Sequence, residues 1–439
     1  MKHPLAYFLV FFLLFGVCSA QEKLNLEESI QIALEQSPVV LKARAEIEAS
    51  EGAAGQAVAD FLPQLSLNGS LGKYYAEPMT VQITFAGTPQ AFEYGIDEQA
   101  DMYSYSASLT QPIYKGGRLW SSLAMAQKGL AATKEELRKV NEEVKFNVIS
   151  AYYGVLKTKK LVELSEQSVS MAKNHLDRVN ALLKVGMSTR ADVLRSEVQL
   201  SKAEIGLTRA KQGLEIAKNN FNNTLGRDLD AEVELEEVAY DSKEILVYDY
   251  KDLLEITYEN RPAWRQYILA KKASEDEVGI ARSGLWPKIS LVGNYDVGST
   301  KYSAYTSDTK TWTALLSGSW DIFDGTATWN LIKEARAKLE AQEANEISVK
   351  RAIALEVKDA NFAVQSAKEN LEGALKTREL ADENFSIAEL RFESGVGTNL
   401  EVIDAQVALT QARTDYLQAQ HDLLIAMARV NKTVGREIY

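Results

Sequence analysis

The sequence is almost without cysteine. Among its 439 residues only Cys18 is one, so no disulfide framework holds the fold together. Histidine is nearly as scarce: His3, His175 and His421 stand far apart, and neither a His-based metal site nor a cofactor is expected. Basic charge is in deficit, with 49 Lys and Arg against 61 Asp and Glu, which is the wrong balance for a nucleic-acid partner. No phosphate-cradling glycine loop precedes a helix, and no catalytic constellation is present, so an enzyme is not expected. Beyond residue 20 there is no run of 18 apolar residues. A membrane would then be entered as a β-barrel or met at the surface, because only helices and closed barrels satisfy the backbone in lipid. Proline is absent from 113–261 and again from 288 onward, which permits long helices there.

The first twenty residues read as a secretory signal. Lys2 and His3 form a charged start, Leu5 to Val17 an apolar run, and Ser19-Ala20 a small-residue end. The run is about 13 residues, too short to span a ~30 Å hydrocarbon layer as a helix. Cleavage after Ala20 is expected. Cleavage before Cys18 with lipid on its sulfur is the second reading, which bulky Val17 disfavours, and a retained anchor is the third. In each case the chain is exported.

The remainder is written twice. Leu34-Glu35-Gln36-Ser37-Pro38 matches Tyr258-Glu259-Asn260-Arg261-Pro262, and Leu62-Pro63-Gln64-Leu65-Ser66-Leu67 matches Trp286-Pro287-Lys288-Ile289-Ser290-Leu291. At a shorter spacing Ile113-Tyr114-Lys115-Gly116 faces Ile322-Phe323-Asp324-Gly325, and Gly186 through Val193 faces Gly395 through Val402. The change of spacing is confined to the hairpin loop. The division is a signal at 1–20, one copy at 21–230, an acidic linker at 231–247 and a second copy at 248–439.

Each copy holds two long helices, expected over about 118–184 and 188–224, then about 327–393 and 398–435. A helix over 118–184 would run ~100 Å at 1.5 Å per residue. Glycine breaks separate the helices at Val185-Gly186-Met187-Ser188 and Ser394-Gly395-Val396-Gly397, with Ser188 or Thr398 placed to cap the return. The returning helix of copy two steps by three and four through Val402, Ala405, Leu409, Ala412, Tyr416, Ala419, Leu423, Ala426 and Val430. Copy one repeats the pattern from Val193 to Phe221, a heptad seam of alternating large and small residues. The helix before it carries two seams, Phe146, Ile149, Tyr153 and Leu156 beside Val148, Tyr152, Val155 and Val162. These facts fit a wall of helices or a plain four-helix coiled-coil bundle about equally.

The segments between helices separate those readings. Tyr103, Tyr105, Ala107, Leu109 and Ile113 alternate with Ser104, Ser106, Ser108 and Thr110. Trp312, Ala314, Leu316, Gly318, Trp320 and Ile322 alternate with Thr311, Thr313, Ser317, Ser319 and Asp321. With partners at about 64–75 and 288–299, strands at about 102–114 and 311–323 have one apolar face, one polar face and aromatic ends. That is the pattern of outer-membrane barrel strands, with Tyr103, Tyr105, Trp312 and Trp320 as an aromatic girdle facing outer-membrane lipid. Four strands are too few to close a barrel, so several chains must share one. The loops 76–101 and 300–310 would connect the strands.

One acidic group stands out. Asp192 begins the returning helix of copy one, and Glu401 and Asp404 occupy the equivalent place in copy two. Acids are favoured in a first helical turn, which explains them without a function. Repeated around a symmetry axis they would also form a charged ring that selects cations.

Taken in order and duplicated, these motifs resemble the TolC family of outer-membrane efflux and secretion channels. The resemblance covers nearly all of the chain after the signal. It includes Leu24–Pro38, Ala59–Leu67, Gln111-Pro112-Ile113-Tyr114-Lys115-Gly116-Gly117 and the Gly186 and Gly395 tips. It implies a mainly α chain with a membrane β-barrel portion. Three copies would form a twelve-stranded barrel continued by a twelve-helix tunnel through the periplasm. The tips Val185, Gly186, Met187, Gly395, Val396 and Gly397 would dock a periplasmic adaptor that joins the homotrimer to an inner-membrane transporter. Asp192, Glu401 and Asp404 would line the entrance constriction. Two positions depart from the family: Gly397 stands where an arginine locks the entrance, with Arg190 nearby, and Thr326 stands where a second glycine is usual. The function so implied is a passive outer-membrane exit duct for efflux or type I secretion. The alternative is a non-conducting exported coiled-coil scaffold or adhesin.

Overall fold

The computed structural model describes residues 23–76, 79–85, 87–94, 98–237, 248–301 and 306–439. The expected signal therefore lies outside the described residues, as do 238–247 of the expected linker and 302–305 of the second loop. The order is α1 (Leu26–Gln36), α2 (Pro38–Ala59), β1 (Gln64–Ala76), β2 (Met79–Phe85), β3 (Thr88–Tyr94), β4 (Glu98–Lys115), α3 (Arg118–Lys184) and α4 (Arg190–Leu225). It continues as α5 (Tyr250–Asn260), α6 (Pro262–Arg282), β5 (Lys288–Lys301), β6 (Thr306–Ser319), α7 (Ala327–Glu393) and α8 (Asn399–Val434). The helix pairs match in length: α3 and α7 have 67 residues each, and α4 and α8 have 36 each. No described helix is long and apolar enough to cross a membrane.

The chain forms two compact units. One comprises Lys42–Lys139 and Tyr258–Leu355. Its centre is an antiparallel sheet in the order β1-β4-β5-β6. Register puts Leu65 opposite Leu109, Leu71 opposite Tyr103, Tyr295 opposite Trp312, and Leu291 opposite Leu316, all on one face. The other face pairs Ser66 with Ser108, Asn68 with Ser106, and Asn294 with Thr313. Hydroxyls join across that polar face: Ser70 and Ser104 oxygens lie 2.7 Å apart, and Ser108 donates to Asn294 Oδ1 at 2.8 Å. Among the described residues nothing covers the apolar face at Leu67 or Trp312, which are 78% and 75% exposed. β1 and β6 are the edges of the sheet and each pairs on one side only.

Two features differ from the sequence expectation. The stretch 76–101 holds the β2–β3 hairpin, turning at Gly87 with φ +84°. Its Gly and Pro content marks a tight turn rather than an irregular loop, and Val81-Ile83-Phe85 carry the period of a strand. At the other end β6 stops at Ser319, so Trp320 and Ile322 follow the strand instead of continuing its alternation. There the Trp320 indole donates to the Leu285 carbonyl at 3.1 Å, which turns the chain aside.

The exits from β4 and β6 differ in backbone strain. Gly116 and Gly117 adopt φ +64° and +86°, and a Cβ on Gly116 would lie 2.2 Å from the Ser283 carbonyl oxygen. At the second exit Gly325 and Thr326 adopt +69° and +73°. Thr326 is the only non-glycine with positive φ among the described residues, and a β-branched side chain is disfavoured there.

The other unit comprises Met1–Leu41, Val140–Thr257 and Glu356–Tyr439. The α8 seam is buried from Val402 to Val430, Tyr416 excepted, as its alternation of large and small residues allows. The matching seam of α4 is buried at Val193, Ser196, Ala210 and Phe221, but Leu200, Ala203 and Leu207 between them stay half-buried. Of the two α3 seams, Val148, Tyr152 and Val155 are buried, while Phe146, Ile149, Tyr153 and Leu156 are half-buried.

Tyr152 ties this unit to its own connecting segments. Leu24 bridges Leu235, and the Tyr152 hydroxyl donates to the Glu236 carbonyl at 2.7 Å with the Leu24 carbonyl at 3.3 Å. Burial, with Glu236 nearby, pushes its phenol up to about 12, so it remains a donor at any physiological pH.

Two outcomes are expected from thermal unfolding of the detergent-solubilised protein. Tyr152→Phe should cost about 0.5–1.5 kcal/mol, because it removes the hydroxyl that donates to the Glu236 carbonyl. Thr326→Gly should instead stabilise by roughly 0.5–1 kcal/mol, since the left-handed penalty exceeds the entropy that glycine adds. A melting temperature unchanged by either substitution contradicts the corresponding assignment.

Candidate functional site at the helix tips

Each long helix ends in the same left-handed stop. Gly186 (φ +78°) donates to the Leu183 carbonyl at 3.0 Å, and Met187 N–H reaches Leu182 at 2.8 Å. Gly395 (φ +77°) donates to Phe392 at 3.1 Å, and Val396 and Gly397 both donate to the Arg391 carbonyl, at 3.0 and 2.8 Å. This is the paired closure that satisfies the last helical carbonyls. It leaves apolar side chains in solvent at the two turns: Val185, Met187 and Val396 are all about two-thirds exposed or more. Gly397 has a separate reason to be glycine. A Cβ there would lie 2.9 Å from the Phe392 nitrogen, against backbone that cannot give way.

The returning helices start from threonine caps. Thr189, not Ser188, caps α4, accepting from Asp192 N–H at 3.2 Å while Asp192 Oδ2 accepts from Thr189 N–H at 3.1 Å. Thr398 caps α8, accepting from Glu401 N–H at 3.2 Å. The three candidate acids therefore stand in different chemistry. Asp192 is committed to its cap: the Thr189 hydroxyl donates to it at 2.6 Å and holds its carboxyl below the usual range. Glu401 leaves the cap and pairs with Arg391, Nε to Oε2, at 3.6 Å. Asp404 is exposed and meets no cation among the described residues.

Arg391 is the cation that sequence reasoning missed. Besides Glu401, its guanidinium reaches the Val396 carbonyl at 3.5 Å. Arg190, the nearby arginine singled out from sequence, reaches only Glu197 at 4.0 Å and is well exposed. Arg391 precedes the glycine turn by four residues, so it lies in the last turn of α7, where cations suit the helix dipole. That position was the available signal.

Beneath the turns is a buried polar group that no motif announces. Asn399 Oδ1 accepts from His175 Nε2 at 2.6 Å and Asn399 Nδ2 donates to the Asp192 carbonyl at 3.0 Å, while Ser196 Oγ donates to that same carbonyl at 3.0 Å and lies 3.3 Å from Asn399 Oδ1. The three side chains come from α8, α3 and α4, and all are buried. Asn399 thus links the two tips. Asp192 on one side and Glu401 and Asp404 on the other share no hydrogen bond or ion pair among the described contacts.

In the sheet-bearing unit, Tyr103, Tyr105 and Trp312 lie on the apolar face, and Trp320 follows β6. Trp120, Trp286, Phe323 and Trp329 also stand exposed around the strand exits, four aromatics that the strand pattern did not reach.

The outer membrane efflux protein model matches residues 29–227 and 253–436. Protein CyaE of Bordetella pertussis is 23% identical over 394 residues, spanning 89% of this chain and 80% of its own. The outer membrane protein TolC of Vibrio cholerae is 20% identical over 425 residues, spanning 94% and 90%. Among solved structures, the open state of the MtrE outer membrane channel of Neisseria gonorrhoeae superposes with a TM-score of 0.77 at 20% identity, covering 94% of this chain and 89% of that one. With two-part matching that accounts for most of its length, the chain belongs to the outer membrane efflux protein family, whose members are exit ducts of the outer membrane.

Proposed function

We propose that three copies of this chain close one barrel from their four-stranded sheets and one tunnel from their long helices. The carrying observation is a sheet with one bare apolar face and an unpaired edge at each side, β1 and β6. In hydrocarbon an open edge leaves backbone groups without partners, at several kcal/mol each, so the edges of neighbouring copies must meet. Three sheets of four strands make twelve, within the range of such barrels. The half-buried centre of the α4 seam, and Leu355, Phe362 and Leu380 exposed on α7, give the helices surface for the same neighbours. The long helix–hairpin–helix order, occurring twice in each chain, then yields a pseudo-sixfold wall.

On this reading the tips form the periplasmic entrance. Asp404, repeated threefold and unpaired, supplies negative charge there, and Glu401 joins it when Arg391 lets go. The Arg391–Glu401 pair takes the place of the arginine that Gly397 excludes. Val185, Met187 and Val396 offer a small apolar surface for a periplasmic adaptor, through which an inner-membrane transporter delivers cargo. Family membership does not favour the scaffold alternative.

Purified protein in planar lipid bilayers tests the duct. It should insert as a detergent-requiring trimer and conduct with cation preference, and Glu401→Ala with Asp404→Ala should lower that preference severalfold. A water-soluble monomer without conductance would sink the reading, and unchanged selectivity in the double variant would remove the charged entrance. Docking has its own readout. Met187→Glu with Val396→Glu should abolish export in cells while bilayer conductance stays at the wild-type level; intact export would exclude the tips as the adaptor surface.

A further inference from the structure

The polar group under the tips is more than packing. Helix α8 begins at Asn399, and its first side chain is spent on two other helices instead of on its own cap. A buried amide bonded to His175 on one neighbour and to the Asp192 carbonyl on the other fixes their relative placement, because a shift away from His175 costs the buried imidazole N–H its partner. The Phe392 ring lies 5.2 Å from that of His175. No apolar contact has such directional demands. The seam on either side would tolerate a slide; this point would not.

We infer that Asn399, His175 and Ser196 form a positioning node that holds the two tips of a protomer together and lets them part in acid. The reason for the acid dependence is electrostatic. Neutral His175 donates from Nε2 to Asn399, leaving Nδ1 without a proton. Protonation would place a full charge in a site that excludes water. On α3 itself Arg178 stands near and repels that charge. From α7, Glu389 attracts it, yet Glu389 and Glu393 are already paired with Arg178 at 2.9 and 2.5 Å. From α4, Asp192 is held by its cap and Arg195 is 3.9 Å from it. On α8 Glu401 is paired with Arg391, and Asp404 is exposed. Burial, the largest influence, outweighs the bond to Asn399, which favours the charged form, and keeps the His175 imidazole below its ordinary range. A base so depressed is protonated more readily when the tips part, so the closed node is fully stable above the ordinary histidine range and weakens as pH falls below it.

The test reads tip separation directly and so does not depend on the duct reading. Spin labels on Met187→Cys and Val396→Cys of one chain are measured in detergent-solubilised protein diluted with an excess of unlabelled protein. The distance distribution is then measured at pH 8 and pH 5. Wild type should give one narrow distance at pH 8 and a broadened, longer one at pH 5. His175→Gln keeps a donor near the Nε2 position but cannot be charged, and should stay narrow at both. Asn399→Leu should be broad at both, its displaced population raised on the order of tenfold at pH 8 for the loss of the node's hydrogen bonds. A wild type without pH response, or a His175→Gln protein that responds as wild type does, overturns the node. Should Asn399→Leu fail to fold, the wild-type and His175→Gln comparison decides alone. Bilayer conductance of the same proteins should follow the same order; absence of any conductance would count against the duct and leave the distance result standing.

Discussion

Backbone hydrogen bonding without water is the constraint on which the rest depends. A sheet whose apolar face carries Leu65, Leu67, Leu71, Trp312 and Leu316 has no place to put that face in a single chain. Lipid accepts it, but lipid offers nothing to the N–H and C=O groups along β1 and β6. The same residues that send the sheet into hydrocarbon therefore require that its edges be paired. The barrel and tunnel proposed above answer that one incompatibility. In the helical unit the α8 seam is already buried inside one chain, while the α4 seam is left half-covered.

The tips answer a different requirement. Two helices of 67 residues must each reverse in five residues, and each reversal spends a left-handed glycine and a threonine cap. The two reversals are not equivalent. In the first, Asp192 completes its cap and is electrostatically quiet. In the second, Glu401 turns from its cap to Arg391, Asp404 stays bare, and Asn399 reaches across to the first tip. The two tips therefore differ in which acid is spent on its own helix and which is left exposed.

Strain is distributed in the same uneven way. At the exit from β4 two glycines adopt positive φ without cost, and Gly116 has Ser283 so close that no side chain would fit. At the exit from β6 the space is open, and Thr326 takes the conformation a glycine would take. The backbone path is common to both exits, and the crowding differs only at the first glycine, Gly116 against Gly325; a Cβ on Gly117 would meet nothing, so nothing in the structure explains why its counterpart is Thr326.

The sequence by itself determined a great deal. Proline-free stretches and three-and-four spacing delimit α3 and α7, because helix continuity is a local property that proline or glycine must interrupt. Alternation at Tyr103 through Leu109 and at Trp312 through Leu316 assigns each strand its apolar face, since successive residues point to opposite sides. Glycine at 186 and 395 places the turns. Local pattern also missed the β2–β3 hairpin, whose turn chemistry resembles a loop, and carried β6 past Ser319, where a tertiary hydrogen bond from Trp320 ends it. What only the tertiary structure decided is which polar residues meet. Arg391 finds Glu401 across a turn, and His175, isolated in the sequence, meets Asn399 more than two hundred residues away. No periodicity encodes such pairs. Their partners lie on different helices, and distance along the chain carries no information about which side chains the packing of α3, α4 and α8 brings within 3 Å.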